Sequence, residues 1–161
     1  MMGPLLMLAA AAAAPDCAVA PFLPVPWTSW TQSWTATAGT QPNGAPSLLL
    51  GKPVTATLSP ANYLQFAADP GKDGRQGFGG IFTLSVRQAA RIGIALSGPA
   101  WVDVVTGTAV QASVDHGHGP DCSGIRKIVW FDLPPGRHVV QIAGSKTREI
   151  RVMAADAQAN Q

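Results

Sequence analysis

An all-β sandwich of antiparallel, jelly-roll type is the fold this sequence predicts, and three observations lead to it. Apolar and polar residues alternate in short runs from Val54 onward, at the period of a half-buried strand. Turn-forming residues separate the runs: Pro70-Gly71, Gly98-Pro99, Gly107, Pro134-Pro135-Gly136 and Gly144-Ser145. Finally, 17 glycines and 14 prolines, set against a single glutamate at Glu149, leave little from which to build helices.

Residues 1–13 carry no charge and run through Leu5-Leu6-Met7-Leu8 into consecutive alanines. The stretch is too short to span a bilayer and suits the apolar part of a secretory signal peptide, although no Lys or Arg precedes it. Small residues offer cleavage sites among the alanines, and cutting near Ala13 is expected. Asp16 stands before Cys17 where a lipoprotein signal needs a small residue. Nothing later in the chain is apolar and long enough for a membrane helix, so the expected location is periplasmic or extracellular.

Residues 14–47 read as an extended arm. Pro21, Pro24, Pro26, Pro42 and Pro46 allow neither a lasting helix nor a central strand. Trp27, Trp30 and Trp34 are its candidate anchors, and their spacing also permits one helical turn. The sandwich itself is expected over 48–153. Its candidate strands are Val54–Ser59, Tyr63–Ala67, Gly80–Val86, Arg91–Ser97, Trp101–Val105, Ala109–Val114, Ile125–Leu133, Arg137–Ala143 and Glu149–Met153. Within them Ile92, Ile94 and Leu96 share a face, as do Val129, Phe131 and Leu133, and His138, Val140 and Ile142. The tail 154–161 is expected to be disordered.

Without its signal the chain would hold about 148 residues, enough for one core of ordinary size. Charged residues make up 12% and the net charge is +2, so no footprint for nucleic acid or an anionic membrane is present. In an oxidising compartment the two cysteines, Cys17 and Cys122, are expected to pair. Closing so long a loop is worth roughly 4–5 kcal/mol in the chain-entropy model. A metal-ligating Cys122 and two free thiols are the competing readings.

Candidate chemistry concentrates in His116-Gly-His-Gly-Pro-Asp-Cys-Ser-Gly-Ile-Arg-Lys127. His116 and His118, two residues apart, fall on one face of a strand. With Asp103, Asp115 or Asp121 they could hold one iron, copper or zinc ion, and a reduced Cys122 would tighten the set. The plainer reading is a glycine-rich loop whose histidines bond to carbonyls or face water, with no cofactor. Trp101 and Asp103 share a strand face. An exposed indole there could stack on a sugar while Asp103 and His118 fix hydroxyls, and Arg126 could take a carboxylate. Arg126 and Lys127 begin a strand and are expected on opposite faces, so they are not expected to clamp one anion together. The mundane alternative has Asp103 or Asp121 paired with Arg126 or Lys127. His138 reads as a core-edge histidine. Gly77-Phe78-Gly79-Gly80 precedes a strand and reads as a bend or bulge rather than a phosphate cradle. No Gly-x-Ser-x-Gly elbow occurs, and nothing marks Ser113 or Ser123 as an activated nucleophile. A paired-glutamate glycosidase is excluded by the single Glu149.

Gly79-Gly80-Ile81-Phe82, Ile94-Ala95-Leu96, Ala100-Trp101-Val102-Asp103-Val104-Val105, the His116–Lys127 run, Leu133-Pro134-Pro135-Gly136-Arg137 and Gln141-Ile142-Ala143-Gly144 together resemble a family of small exported bacterial proteins. Many of its members carry the name homogentisate 1,2-dioxygenase. The resemblance covers roughly residues 48–153, and the N-terminal Cys and Pro-rich arm are also similar. It implies export, and the name implies an iron-dependent dioxygenase. That chemistry belongs to a far larger cupin enzyme using two histidines and a carboxylate, whereas this chain has three histidines and no cupin ligand pattern. More loosely, the strand layout is similar to sandwich modules appended to secreted hydrolases, some of which bind carbohydrate. Three functions follow: a non-catalytic sandwich binding a small ligand or partner, which we favour; a small metal-dependent enzyme or metal carrier centred on His116 and His118; and a structural envelope protein that docks through its arm.

Overall fold

The structure is a computed structural model, and it describes Gly3 and residues 16–159. Gly3 apart, the expected signal segment 1–13 lies outside the described residues, as do the last two residues of the chain. Twelve strands form two packed sheets: β1 (Trp34–Thr37), β2 (Ser47–Leu48), β3 (Val54–Thr57), β4 (Ser59–Pro60), β5 (Phe78–Val86), β6 (Ala90–Leu96), β7 (Trp101–Thr106), β8 (Ala109–Val110), β9 (Ser113–Gly117), β10 (Lys127–Leu133), β11 (Gly136–Ser145) and β12 (Glu149–Asp156). One sheet runs β1-β3-β12-β6-β10-β9 and the other β2-β5-β11-β7-β8, with β4 paired to β5. The all-β sandwich is therefore present. Its sheets are mixed rather than wholly antiparallel, because β1 runs parallel to β3 and β2 parallel to β5.

Alternation explains the inner core. Ile92, Ile94 and Leu96 of β6 meet Val129, Phe131 and Leu133 of β10 on one wall, and Phe82, Leu84, Val102, Val104, Val140 and Ile142 form the other. His138 shares that inward face and is fully buried rather than lying at the core edge. Its Nδ1 lies 2.7 Å from Thr106 Oγ1, and its Nε2 donates to the Pro134 carbonyl over 2.8 Å. Gln111 Nε2 donates in turn to Thr106 Oγ1. Each polar atom of this imidazole thus has a partner, which is what makes its burial tolerable.

A second, smaller core lies on the outer face of the β6–β12 sheet. Trp27 and Trp30 pack there on Ala95, Ile125, Ile128, Met153 and Ala155, with Trp130 at the margin. Trp27 and Trp130 meet at 5.7 Å between ring centroids. Trp130 lies across Gly93, its register partner on β6, where an added Cβ would come within 2.8 Å of the indole. The segment 27–30 is a succession of turns, Trp27 N–H to Pro24 C=O and Trp30 N–H to Trp27 C=O, rather than a helix. Trp34, the third candidate anchor, is 72% exposed and anchors nothing through its indole.

The expected arm is also more integrated than its proline content suggests. After β1 it crosses to the other sheet, where Gly39 and Ile81 exchange two backbone hydrogen bonds of 2.9 Å. It then supplies β2. Ala38 is buried over Gly80, where any Cβ would overlap it. Gly80 therefore admits the crossing chain, whereas a Cβ on Gly79 would meet Leu64 and the Ile142 carbonyl. The irregularity expected nearby lies on the partner strand, between Ile142 and Ser145 of β11.

Three further expectations are corrected. Tyr63–Ala67 is no strand: the chain makes a short 3-10 turn at Ala61–Tyr63. Its Ala67 and Ala68 amides then donate to the buried side chain of Gln141 rather than to a neighbouring strand. The run Ala109–Val114 breaks at Gln111-Ala112, where the chain changes sheets between β8 and β9. The tail is not disordered from Ala154, since β12 continues to Asp156 and pairs Ala154 with Ile94 and Ala155 with Gly93. Ala154 enters the inner core and Ala155 the outer one, each small enough for its tight site.

Candidate functional site

The loop between β9 and β10 is fixed at three points. Its disulfide, Cys17–Cys122, joins it to the arm with the Cα atoms 5.4 Å apart. Ile125 is buried in the outer core. Trp30 Nε1 donates to the Ser123 carbonyl over 3.0 Å. The loop also closes on itself: the Gly119 amide donates to the Ile125 carbonyl, and Ser123 Oγ donates to the Pro120 carbonyl over 2.6 Å. Ile125 N–H donates to that same hydroxyl. Ser123 is thereby spent on the turn, in keeping with its lack of nucleophile signals.

Across from this loop stands the start of β7. Valines 102 and 104 point into the core, so Trp101 and Asp103 share the outward face, as the alternation requires. Trp101 is 55% exposed. Asp103 is half-buried and accepts a 3.3 Å hydrogen bond from Gln141 Nε2. Gln141 itself is buried, and its amide also donates to the Ala68 carbonyl.

Between these walls lies a groove of about 470 Å³ whose lining includes Trp101, His116, His118, Arg126 and Lys127, with Pro99 and Ala100 as its apolar floor. An adjoining hollow of about 330 Å³ shares Trp101, His116 and Lys127 and adds Asp103, Gln111 and Phe131. The structure thus brings Trp101, His118 and Arg126 together, and places Asp103 next door around the same indole. His118 Nδ1 sits 2.8 Å from the Gly119 carbonyl, so it donates there and leaves Nε2 for the groove. This is the carbonyl-bonded loop histidine of the plainer reading.

Lys127 is the residue that sequence reasoning undervalued. Rather than pairing with Asp103 or Asp121, it reaches from one sheet to the other, donates to the Ala100 carbonyl over 2.9 Å and sits 4.9 Å over the Trp101 ring. Burial pushes its ammonium below the ordinary lysine range, and the Asp103 carboxylate pulls the other way. The two ion pairs among the described residues lie elsewhere, Arg75–Asp69 and Arg91–Asp132, and neither involves Arg126 or Lys127. The signal was present in the sequence: Lys127 alternates with Val129 and Phe131, on the face that turns inward.

The metal set does not assemble. Among the described residues no three or more His, Cys, Asp and Glu side chains converge as an ion would require. Cys122 is committed to its disulfide, which removes the thiolate that would have tightened the His116–His118 pair. Also among the described residues, no helix is long and apolar enough to cross a membrane. No protein-family model matches this chain, and no curated protein matches it.

Proposed function

We propose that this chain is an exported, non-catalytic β-sandwich that binds a small ligand in the groove between Trp101 and the His116–Lys127 loop. The carrying observation is the half-exposed indole of Trp101 among the hydrogen-bonding side chains of Asp103, Gln111, His116, His118, Arg126 and Lys127, contributed by two sheets and a covalently anchored loop. Exposed aromatic faces ringed by a few fixed polar groups are the usual make-up of ligand sites. The disulfide is compatible with an oxidising compartment, and the resemblance to small exported proteins supports the same location. Ser123 and Cys122, beside the groove, are engaged in holding the loop.

The test is a two-dimensional NMR titration of the oxidised mature protein against a panel of small metabolites and soluble oligosaccharides. The expected result is a saturable shift of the Trp101 indole N–H and of the 116–127 amides by at least one compound, lost in Trp101→Ala. Saturable shifts that map only to another surface would overturn the assignment of the groove.

A further inference from the structure

Resting on that reading, we infer that the ligand is an acidic saccharide, held through its carboxylate by Lys127 and Arg126 and through its ring by Trp101. The charge in the groove is one-sided. Arg126 and Lys127, expected on opposite faces, both line it with two histidines, against the single carboxylate of Asp103, which already accepts from Gln141. Of the six other arginines four are engaged elsewhere: Arg75 and Arg91 are paired to aspartates, and Arg148 and Arg151 lie over Phe78 and Trp30. Lys127 has only a carbonyl and a π-face, so two of its three N–H donors remain for a ligand.

A half-buried ammonium without a carboxylate partner is an unfinished interaction, and an anion completes it. Charge alone would suit any anion. The remainder of the groove selects among them, because the part of the half-exposed indole that Lys127 leaves uncovered offers apolar surface to the C–H groups of a pyranose. His118 Nε2, Gln111 and the Asp103 carboxylate add donors and acceptors for hydroxyl groups on either side. Two hollows meeting at Trp101, His116 and Lys127 also make an elongated site, which suits more than one sugar unit.

Trigalacturonate, its methyl ester and citrate separate the terms when titrated into the oxidised full-length mature protein under NMR observation. Trigalacturonate is expected to shift the Trp101 indole N–H and the Arg126 and Lys127 side-chain signals saturably. The ester should bind at least tenfold more weakly, and trigalacturonate should bind Lys127→Met and Arg126→Gln at least tenfold more weakly than the unaltered protein. Both variants change exposed or half-exposed side chains, and an unchanged amide spectrum shows that they fold. Equal binding of acid and ester would overturn the acidic requirement while leaving the groove as the ligand site. Citrate binding as tightly as trigalacturonate would overturn the saccharide. Failure of all three to move any groove signal would overturn this inference, and the broader panel then decides the groove itself.

Discussion

Where the chain crosses between sheets after β1, it is paired on both sides and Ala38 is buried; where it crosses again between β8 and β9, every residue of both strands is exposed. The two edges of one sandwich have thus been given different tasks. The first is sealed with small residues, Ala38 against Gly80 and Gly39 against Ala45 and the Ile81 carbonyl, with no room for variety. At the second, Trp101, Asp103, His116 and Lys127 stand around open hollows. Tight packing leaves no solvent-facing side chains to do chemistry, and the exposed edge leaves little packing to lose. Substitutions should therefore separate cleanly into those that cost stability and those that cost binding.

The largest effect is expected from Trp30→Ala. It empties a site only 1% exposed and deletes the indole bond to Ser123, so chemical denaturation should show a loss of about 3–5 kcal/mol. Next comes the Cys17→Ser and Cys122→Ser pair. Opening a loop of 105 residues should lower stability by roughly 2–5 kcal/mol. It should also weaken ligand binding, since the freed loop carries His118 and Arg126; a stability loss with unchanged affinity would show that Ile125 and Trp30 alone hold the loop. At the sealed edge, Gly80→Ala drives a methyl into Ala38 and should cost about 1–3 kcal/mol, read as a lowered midpoint. Trp101→Ala sharpens the contrast from the other side: stability should move by less than about 1 kcal/mol while ligand binding disappears.

The smallest effect belongs to the surface pair Arg91–Asp132, which joins neighbouring strands in two hydrogen bonds. The guanidinium holds the Asp132 carboxyl below the usual aspartate range. A depressed folded-state value means the contribution is present above the ordinary aspartate pKa and is lost as pH falls through the lower one. Asp132→Asn should flatten the acid limb of the stability profile slightly, and the pair's exposure to solvent keeps that change small. A large change would show that the pair is coupled to more than its own two strands.

Legibility in the sequence followed the side chains. Long apolar alternation marked β5, β6, β10 and β11 to within a few residues, because branched residues at every second position have one physical use. The arm's crossing at Ala38-Gly39 and the end of β12 were missed because their packing is done by alanine and glycine, whose small surfaces give no pattern. Trp34 and Trp30 look alike in sequence, yet only one reaches the outer core; which face of a proline-rich segment turns inward depends on the turns at 24–30. Of the site, Trp101, Asp103, His118 and Arg126 were identifiable by residue type and strand phase. Gln141 was not, since an amide that fixes a distant loop leaves no mark on its neighbours. Nor could the sequence show that Lys127 would cross to Ala100, which depends on how the two sheets face each other.

The bond between Cys17 and Cys122 makes a covalent circuit of everything from the base of the arm to the loop beside the groove. A protease that nicks the backbone anywhere inside that circuit releases nothing: both fragments stay attached, with the sheets still holding them in register. Such a molecule would run as an intact chain on a non-reducing gel and fall into two pieces only after reduction. Resistance to a protease then depends less on avoiding the first cut than on keeping the C-terminal strands outside the circuit, β10 to β12, folded.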